Sequence, residues 1–599
     1  MLIFCIFVPL IFNKKSFMKN FKLFIGTFLL IGSLFISSCK KDNEDVVPLP
    51  TTNTITENIT TNTTWHASDT YIIDGTVAIE GATLTIEPGA IIKFQQGAEL
   101  DVGNNNSGSV LIANGTPTNP ITFTSSATNP AAGDWDYIYF GEGASGSSMT
   151  YCNIYYGGGY NTYSGIVQVD GCHISMTHCD VQYSPNYGVV LENDAYFTTF
   201  TYNNLANITN HPIKLDANSA NSIGAGNTIT GSSSTKGIYV DGGTFDKADA
   251  TWLLQTVPYV LNGVITIQNT AGAQLTLQAG VTIAFTQGSY IEVGYNSGNY
   301  GTLIANGTAA APITFTSASP SPTAGDWDAI FLEDGTSSNT SFDYCVFEYG
   351  GGYNAYTGMV DLNNSNLHIN HSIFRHSSTF GITADDNSYF GSFDNNTFED
   401  CASYPMTIYG NYAHTIGGNN TFNTTLGPRV DGDNLEQNGS VTWHKLNKPY
   451  YIDGTLYINS TSGTTLNIEA GTQIDFTQGS MLEVGYASNS YGKIIAQGTA
   501  SEPIIFSSGA PSPSNGDWDG IFFESGTMSG TILDHCEVSY AGGYNAYSGN
   551  ITFDNAGSNV TISNSTIAHS SHYGIFIDGN STPTLTNITY SDNTTGNTN

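Results

Sequence analysis

Apolar residues recur at about every second position in short runs, as in Leu84-Thr85-Ile86, Ile91-Ile92-Lys93-Phe94, Ile121-Thr122-Phe123-Thr124 and Tyr137-Ile138-Tyr139-Phe140. Gly, Asn, Asp or Pro interrupts the runs. A period of two with such punctuation predicts strands. No segment after residue 38 sustains a helical period, so the pattern predicts an almost all-β protein.

The exception is Leu23 to Ser38, 16 uncharged residues behind Lys19 and Lys22. A membrane span needs about 20 apolar residues, and the run reads as a targeting segment. It ends in Phe35-Ile36-Ser37-Ser38-Cys39, which resembles the lipobox of bacterial lipoproteins. It departs from the commonest form, which has Leu and then Gly or Ala where Ile36 and Ser38 stand. The resemblance implies a lipoprotein signal peptide over 1–38, lipidation of Cys39, membrane contact through that anchor, and an outer-membrane or cell-surface location. Met18 is then the expected start. Behind Cys39, Lys40-Lys41-Asp42-Asn43-Glu44-Asp45 and a Thr/Asn-rich stretch without apolar periodicity read as a solvated tether over 39–64. The acidic run resembles the surface-export signal of some Gram-negative lipoproteins, and a plain linker would look the same.

Beyond residue 64 the organisation is set by three long repeats, 65–251, 252–442 and 443–599. Each opens on a Trp followed by a Tyr-bearing strand: Trp65 with Tyr71, Trp252 with Tyr259, Trp443 with Tyr451. Gly-Asp-Trp-Asp recurs at Gly133, Gly325 and Gly516, and a Gly-rich loop with Tyr-Asn at Tyr160, Tyr353 and Tyr544. The third copy is shorter, and reads either as a chain ending on an open coil or as a fragment.

A repeat of about 190 residues divides into strand–turn units of about 20 to 25 residues, the grain of a β-solenoid. The phrases Leu84-Thr85-Ile86-Glu87-Pro88-Gly89-Ala90, Ile112-Ala113-Asn114-Gly115-Thr116 and Pro120-Ile121-Thr122-Phe123-Thr124-Ser125 return in the other copies, as Ile304-Ala305-Asn306-Gly307-Thr308 and Ile495-Ala496-Gln497-Gly498-Thr499 for the second. They resemble right-handed parallel β-helix repeat proteins of the pectate-lyase-like superfamily, over nearly all of residues 65 to 599. The resemblance implies an all-β, right-handed parallel β-helix and leaves function open, since lyases, hydrolases, adhesins and inert scaffolds share this fold.

Charge narrows the function. With 15 Lys and Arg against 50 Asp and Glu the net charge is −35, and removal of Lys14, Lys15, Lys19 and Lys22 with the leader takes it to −39. No basic patch exists to displace counterions, which excludes a nucleic-acid partner. A polyuronate would be repelled unless calcium bridged it, so a neutral polysaccharide is the easier partner.

Several clusters could carry chemistry. The paired carboxylates of Gly-Asp-Trp-Asp (Asp134/Asp136, Asp326/Asp328, Asp517/Asp519) could act as acid and base or hold calcium, but threefold recurrence suits a structural turn. Cys172-His173 and His178-Cys179 have a zinc-like look, yet Ser365, Ser372, Ser558 and Ser565 stand opposite the two cysteines. Core packing suits them better, as it does Cys152, Cys345 and Cys536; Cys401 is unassigned. No metal site and no cofactor is expected, calcium being the one ion left open. In lyases of the superfamily a basic residue abstracts the proton. Arg375, near His368, His371 and His376, is the candidate here, though Gln182 and Ala568 stand at its place in the other copies. Asp385-Asp386, opposite Glu192 and Asp578, reads as an acidic turn.

The better lead is the Tyr-rich loop: Tyr160, Asn161 and Tyr163; Tyr353, Asn354 and Tyr356; Tyr544, Asn545 and Tyr547. Aromatics on Gly-rich loops are less expected in a core than aromatics in strands, and a flat ring beside amide and carboxylate groups can stack on a sugar and bond its hydroxyls. The bland alternative is an aromatic seal on the bend. The sequence thus reads as a cell-surface lipoprotein β-helix that binds glycan or another surface partner without catalysis. A polysaccharide lyase or glycoside hydrolase, and a structural spacer or adhesin, are the alternatives.

Overall fold

The computed structural model describes residues 51–104, 108–233, 235–385, 387–486 and 489–599. The signal peptide read over 1–38, Cys39, the start of the tether and Asp386 lie outside the described residues.

The chain winds into a parallel β-solenoid. Each coil lays one strand on each of three faces, called here the first, second and third face of a copy in chain order. Thus Ile91–Phe94, Glu99–Val102 and Val110–Asn114 are followed one coil on by Ile121–Ser125, Ile138–Phe140 and Ser148–Thr150. All three pairs are parallel and in register. Coil length varies chiefly because turns take long insertions, strands taking at most a local bulge: Thr52 and its neighbour Thr70 are 18 residues apart, Ile291 and Ile330 are 39.

The alternation read from the sequence is what fills the coil. One residue set points in and stacks on its equivalents about 4.8 Å away. Phe315, Phe347, Phe374, Phe398 and Phe422 form such a column, with ring centroids 4.7 to 5.3 Å apart. Where the backbone turns inside the coil, buried asparagines satisfy it. Asn396 accepts from Ser372 N and donates to Ile369 O, and Asn420 repeats this one coil on. Cys152, Cys345 and Cys536 point inward as small apolar groups.

The Trp that marks each copy in the sequence closes a strand and stacks on the following Tyr: Trp65 on Tyr71, Trp252 on Tyr259, Trp443 on Tyr450. In the third copy the partner is Tyr450, one residue before the Tyr451 singled out in the sequence. At each seam the sheets change role. The second face of copy one runs through Gly165–Asp170, Tyr187–Glu192 and Ile213–Asp216 into the front of Ile238–Phe245, then into Tyr259–Ile267 and Thr282–Phe285. Those last strands belong to the first face of copy two. Gly242 allows the step, since a Cβ there would meet Val264 N at 2.8 Å. The first face of copy one ends at Thr228–Ile229, and Thr256 caps it by exchanging hydrogen bonds with Ile229. The same handover repeats at the next seam, where Met406–Tyr409 on the second face of copy two continues through Arg429–Asp431 into Tyr450–Asp453.

One expectation needs correction. The stretch read as tether includes Thr52–Ile55, paired with Thr70–Ile73, and Thr63–Trp65, paired with Thr83–Ile86. Its Thr-rich strands show little apolar periodicity because pairing to the next coil holds them, with Ile59 as the buried contact between them.

Candidate functional site

The Gly-Asp-Trp-Asp segment and the Tyr loop are one device. In Gly133-Asp134-Trp135-Asp136 the first carboxylate ties off its own turn. Asp134 accepts from Ser125 Oγ at 2.7 Å and Ala131 N at 3.0 Å, and Asp326 and Asp517 do the same with Ser317 and Ser508. The Trp is fully buried and stacks on Phe94, Phe285 or Phe476 at 4.0 to 4.4 Å. Its Nε1 donates to Tyr155 O, Glu348 O or Ser539 O. Its carbonyl accepts from the Gly just before the first Tyr of the loop, Gly159, Gly352 or Gly543. The two backbones cross so closely that a Cβ on Gly352 would lie 2.3 Å from Gly325 O. The structural reading of these motifs therefore accounts for the first Asp. Asp136, Asp328 and Asp519 are different: they sit half-buried beside the loop, and burial raises each carboxyl above its ordinary value.

From that anchor the loop projects its rings outward. Tyr163, Tyr356 and Tyr547 are 71 to 84% exposed. Tyr160 meets Tyr137 edge-on at 5.3 Å, Tyr353 meets Phe331 at 5.2 Å and Tyr544 meets Phe522 at 5.4 Å. The oxygen of Asn161, Asn354 or Asn545 accepts from the amide two residues on, at 2.7 Å in each copy. That oxygen shapes the turn, which fixes the side chain and leaves its amide NH2 to donate to a ligand.

Beside each loop lies the outer surface of the copy's second face. In copy two it forms a groove of about 400 Å³ floored by Glu292, Phe331 and Asp361 from successive coils, with Glu333 and Asp385 alongside. Tyr353 and Tyr356 stand on one side and Tyr295, from the next corner, on the other. Copy three repeats the arrangement in about 460 Å³. Glu483, Phe522 and Thr552 are in the floor, Glu524, Asp554 and Asp578 are alongside, and Tyr486 faces Tyr544 and Tyr547. Asp101, Tyr139 and Gln168 hold the floor positions in copy one, but Asn104 stands where the others have Tyr295 and Tyr486.

Burial pushes the floor carboxyls up. Asp361 reaches about 7, chiefly from burial and then from Asp385 and Glu333, although the Thr383 hydroxyl donates to it. Glu483 and Glu524 also reach about 7, again chiefly from burial, and Asp101 about 6. Near neutral pH these floors hold a mixture of carboxyl and carboxylate, able both to donate and to accept.

The sequence named the Tyr loops and missed the rest of the groove. Its second wall was visible as Gly294-Tyr295-Asn296-Ser297-Gly298-Asn299-Tyr300-Gly301 and Gly485-Tyr486, two further Gly/Tyr segments with no counterpart in copy one. Asp385, read as a turn, lines the groove.

The other clusters disperse. Cys172 and Cys179 are buried free thiols, while His173 and His178 lie outside, stacked on Tyr196 and on Tyr151 and Tyr202. Strand alternation separates them. Arg375 is held by Glu348 at 2.6 Å, His371 by Asp343, and His368 bonds Ser392 on another face. The four bases converge on no common point. Among the described residues no three His, Cys, Asp or Glu side chains are grouped to hold a metal ion, and no helix is long and apolar enough to cross a membrane.

A family model described as a pectate-lyase-like β-helix domain matches residues 57–169, 243–366 and 435–563, together more than half of the chain. Each segment includes the Gly-Asp-Trp-Asp turn and the floor of one groove. A search of the curated proteins found no match.

Proposed function

The chain belongs to the pectate-lyase-like β-helix family, and on that premise we propose that it is a lipid-anchored cell-surface protein that binds neutral glycan in the grooves of its second faces, without catalysis. One observation carries the reading: in two copies a floor of carboxyls and rings lies between exposed tyrosines on opposite corners. Rings that pack on sugar faces, beside groups that both donate and accept, form the mixture that small polar ligands require. The charge of −35 favours a neutral polymer over a polyuronate.

Affinity electrophoresis tests this. The protein should be retarded in gels containing galactomannan or mixed-linkage glucan more than in polygalacturonate. A Tyr160→Ala, Tyr353→Ala, Tyr544→Ala variant should migrate as in plain gel. Equal migration of the two proteins in every gel sinks the proposal for these glycans. Copy one supplies a gain-of-function check. With Tyr353 and Tyr544 replaced by Ala, Asn104→Tyr should tighten the residual binding about fivefold, the worth of one aromatic contact of about 1 kcal/mol. No gain would mean that the second wall does not touch the ligand.

A glycoside hydrolase is the second reading, favoured by the raised carboxyls at Asp361 and Glu524 beside other acids, a pattern that can divide acid and base roles. It expects reducing ends to accumulate from a retarding glycan and to vanish in Asp361→Asn with Glu524→Gln.

A further inference from the structure

We infer that the three sites hold separate glycan strands, making this protein a cross-linker rather than a track along one polymer. The inference rests on the groove reading above and adds to it the path of the sheets.

Each groove runs along the solenoid axis. Its floor is a column of residues from successive coils, Glu292, Phe331 and Asp361 in copy two, paired strand to strand. A polymer lying on Phe331 and Asp361 between Tyr353 and Tyr295 is therefore directed up and down that one face. The other groove walled by facing tyrosines, that of copy three, is floored by a different run of strands. The sheet that leads out of the Tyr loop in copy one, starting at Gly165–Asp170, is the same sheet that leads into the Tyr loop of copy two through Cys345–Glu348. The sheet leaving the second loop at Gly358–Leu362 likewise enters the third through Cys536–Ser539. In both cases seven parallel pairings separate the two strands. Successive sites thus lie about 34 Å apart along the axis, at about 4.8 Å per coil, and the sheet that carries one site leads into the first face of the next copy and not into its second, where the next groove lies.

The faces between them are poor guides for a chain trying to pass from one groove to the next. Where the floor of copy one continues into copy two, the outward column runs through Lys214, Tyr239, Val260, Ala284, Thr316, Glu348 and Arg375. Lys214 is held by Glu192 and Asp241, Arg375 by Glu348, and Val260 and Ala284 are covered by their neighbours. None of these strands is flanked by a Tyr loop until the Tyr353 corner is reached. A linear polymer would have to leave its groove, cross a corner and re-enter in line with the axis. Separate strands, or branches of one polymer, meet the sites without that turn.

The test uses the full chain and the neutral glycan that retards it most strongly, followed by light scattering as protein is titrated in. Four proteins are compared: the wild type, two variants with one groove left (Tyr160→Ala with Tyr353→Ala, and Tyr160→Ala with Tyr544→Ala), and the triple Ala variant. The expected result is a rise in scattering to a maximum near equivalence and a fall in excess protein for the wild type. That rise should be lost in both one-groove variants, although each is still retarded in the gel. Wild-type binding without growth in particle size, with affinity for long polymer exceeding that of the one-groove variants by the 10²- to 10⁴-fold expected when linked sites share one chain, overturns the inference and leaves the groove reading intact. Failure of every gel to retard the wild type removes both.

Discussion

Trp327→Ala is expected to destabilise the middle of the solenoid by about 3 to 5 kcal/mol, the usual cost of emptying a buried Trp site. The ring has no exposed surface, stacks on Phe285 at 4.4 Å and donates to Glu348 O at 2.9 Å. It also lies directly beneath the Tyr loop, where a Cβ on Gly350 would be 2.6 Å from the indole. Its loss opens a void that the Gly-rich strand above can fall into. The functional consequence should be local. Glycan binding by copy two should weaken more than an unfolding measurement alone would imply, while copy three, seven coils away, keeps its affinity. Trp327→Phe separates the parts: it keeps the stack and removes the Nε1 bond, for about 1 to 2 kcal/mol. Thermal unfolding with limited proteolysis checks the first point, and gel retardation in a Tyr160→Ala, Tyr544→Ala background checks the second. Wild-type stability in Trp327→Ala would show that the turn does not depend on its ring.

The second large effect is on pH. Asp361, Glu483 and Glu524 are raised to about 7, and Asp101 and Asp475 to about 6, in every case chiefly by burial. A carboxyl raised on folding binds more protons in the folded than in the unfolded chain between its two values, so the stability it supports is present at low pH and is lost as pH rises through the folded value. Tm should therefore fall between pH 5 and pH 8, contrary to the behaviour of proteins whose carboxylates are paired. Asp361 is the sharpest case. Displacement from 3.8 to about 7 corresponds to about 4 kcal/mol at full strength, and partial exposure reduces it to about 2 kcal/mol. Asp361→Asn should raise Tm at pH 8, with a gain that shrinks toward pH 4, because the Thr383 hydroxyl can still donate to the amide oxygen. A Tm that rises from pH 5 to pH 8, or an Asp361→Asn variant less stable than the wild type at pH 8, would contradict the assignment.

Legibility in the sequence followed the range of the interactions. The solenoid could be read because the period-two runs and their turns are local and return three times. The Tyr loops could be read because rings such as Tyr356 stand among glycines, where a core has no place for them. The groove floor could not. Glu292, Phe331 and Asp361 are 30 to 39 residues apart, and only the stacking of coils makes them neighbours. Tyr295 and Tyr486 are hard to read for a different reason: they recur in only two copies, and Asn104 stands at their place in the first. Thr52–Ile55 was missed because its order comes from the coil above. The seams were hidden because an even spacing of repeats carries no record of the face on which each is laid.

The exchange of sheets at the seams has a mechanical consequence. Gly165–Asp170 of one copy and Cys345–Glu348 of the next belong to one unbroken run of seven parallel pairings, and Gly358–Leu362 and Cys536–Ser539 to another. Pulled along its axis, the solenoid therefore has no plane between repeats at which every hydrogen-bonded ladder stops together, and a seam is not a point at which neighbouring copies can part cleanly.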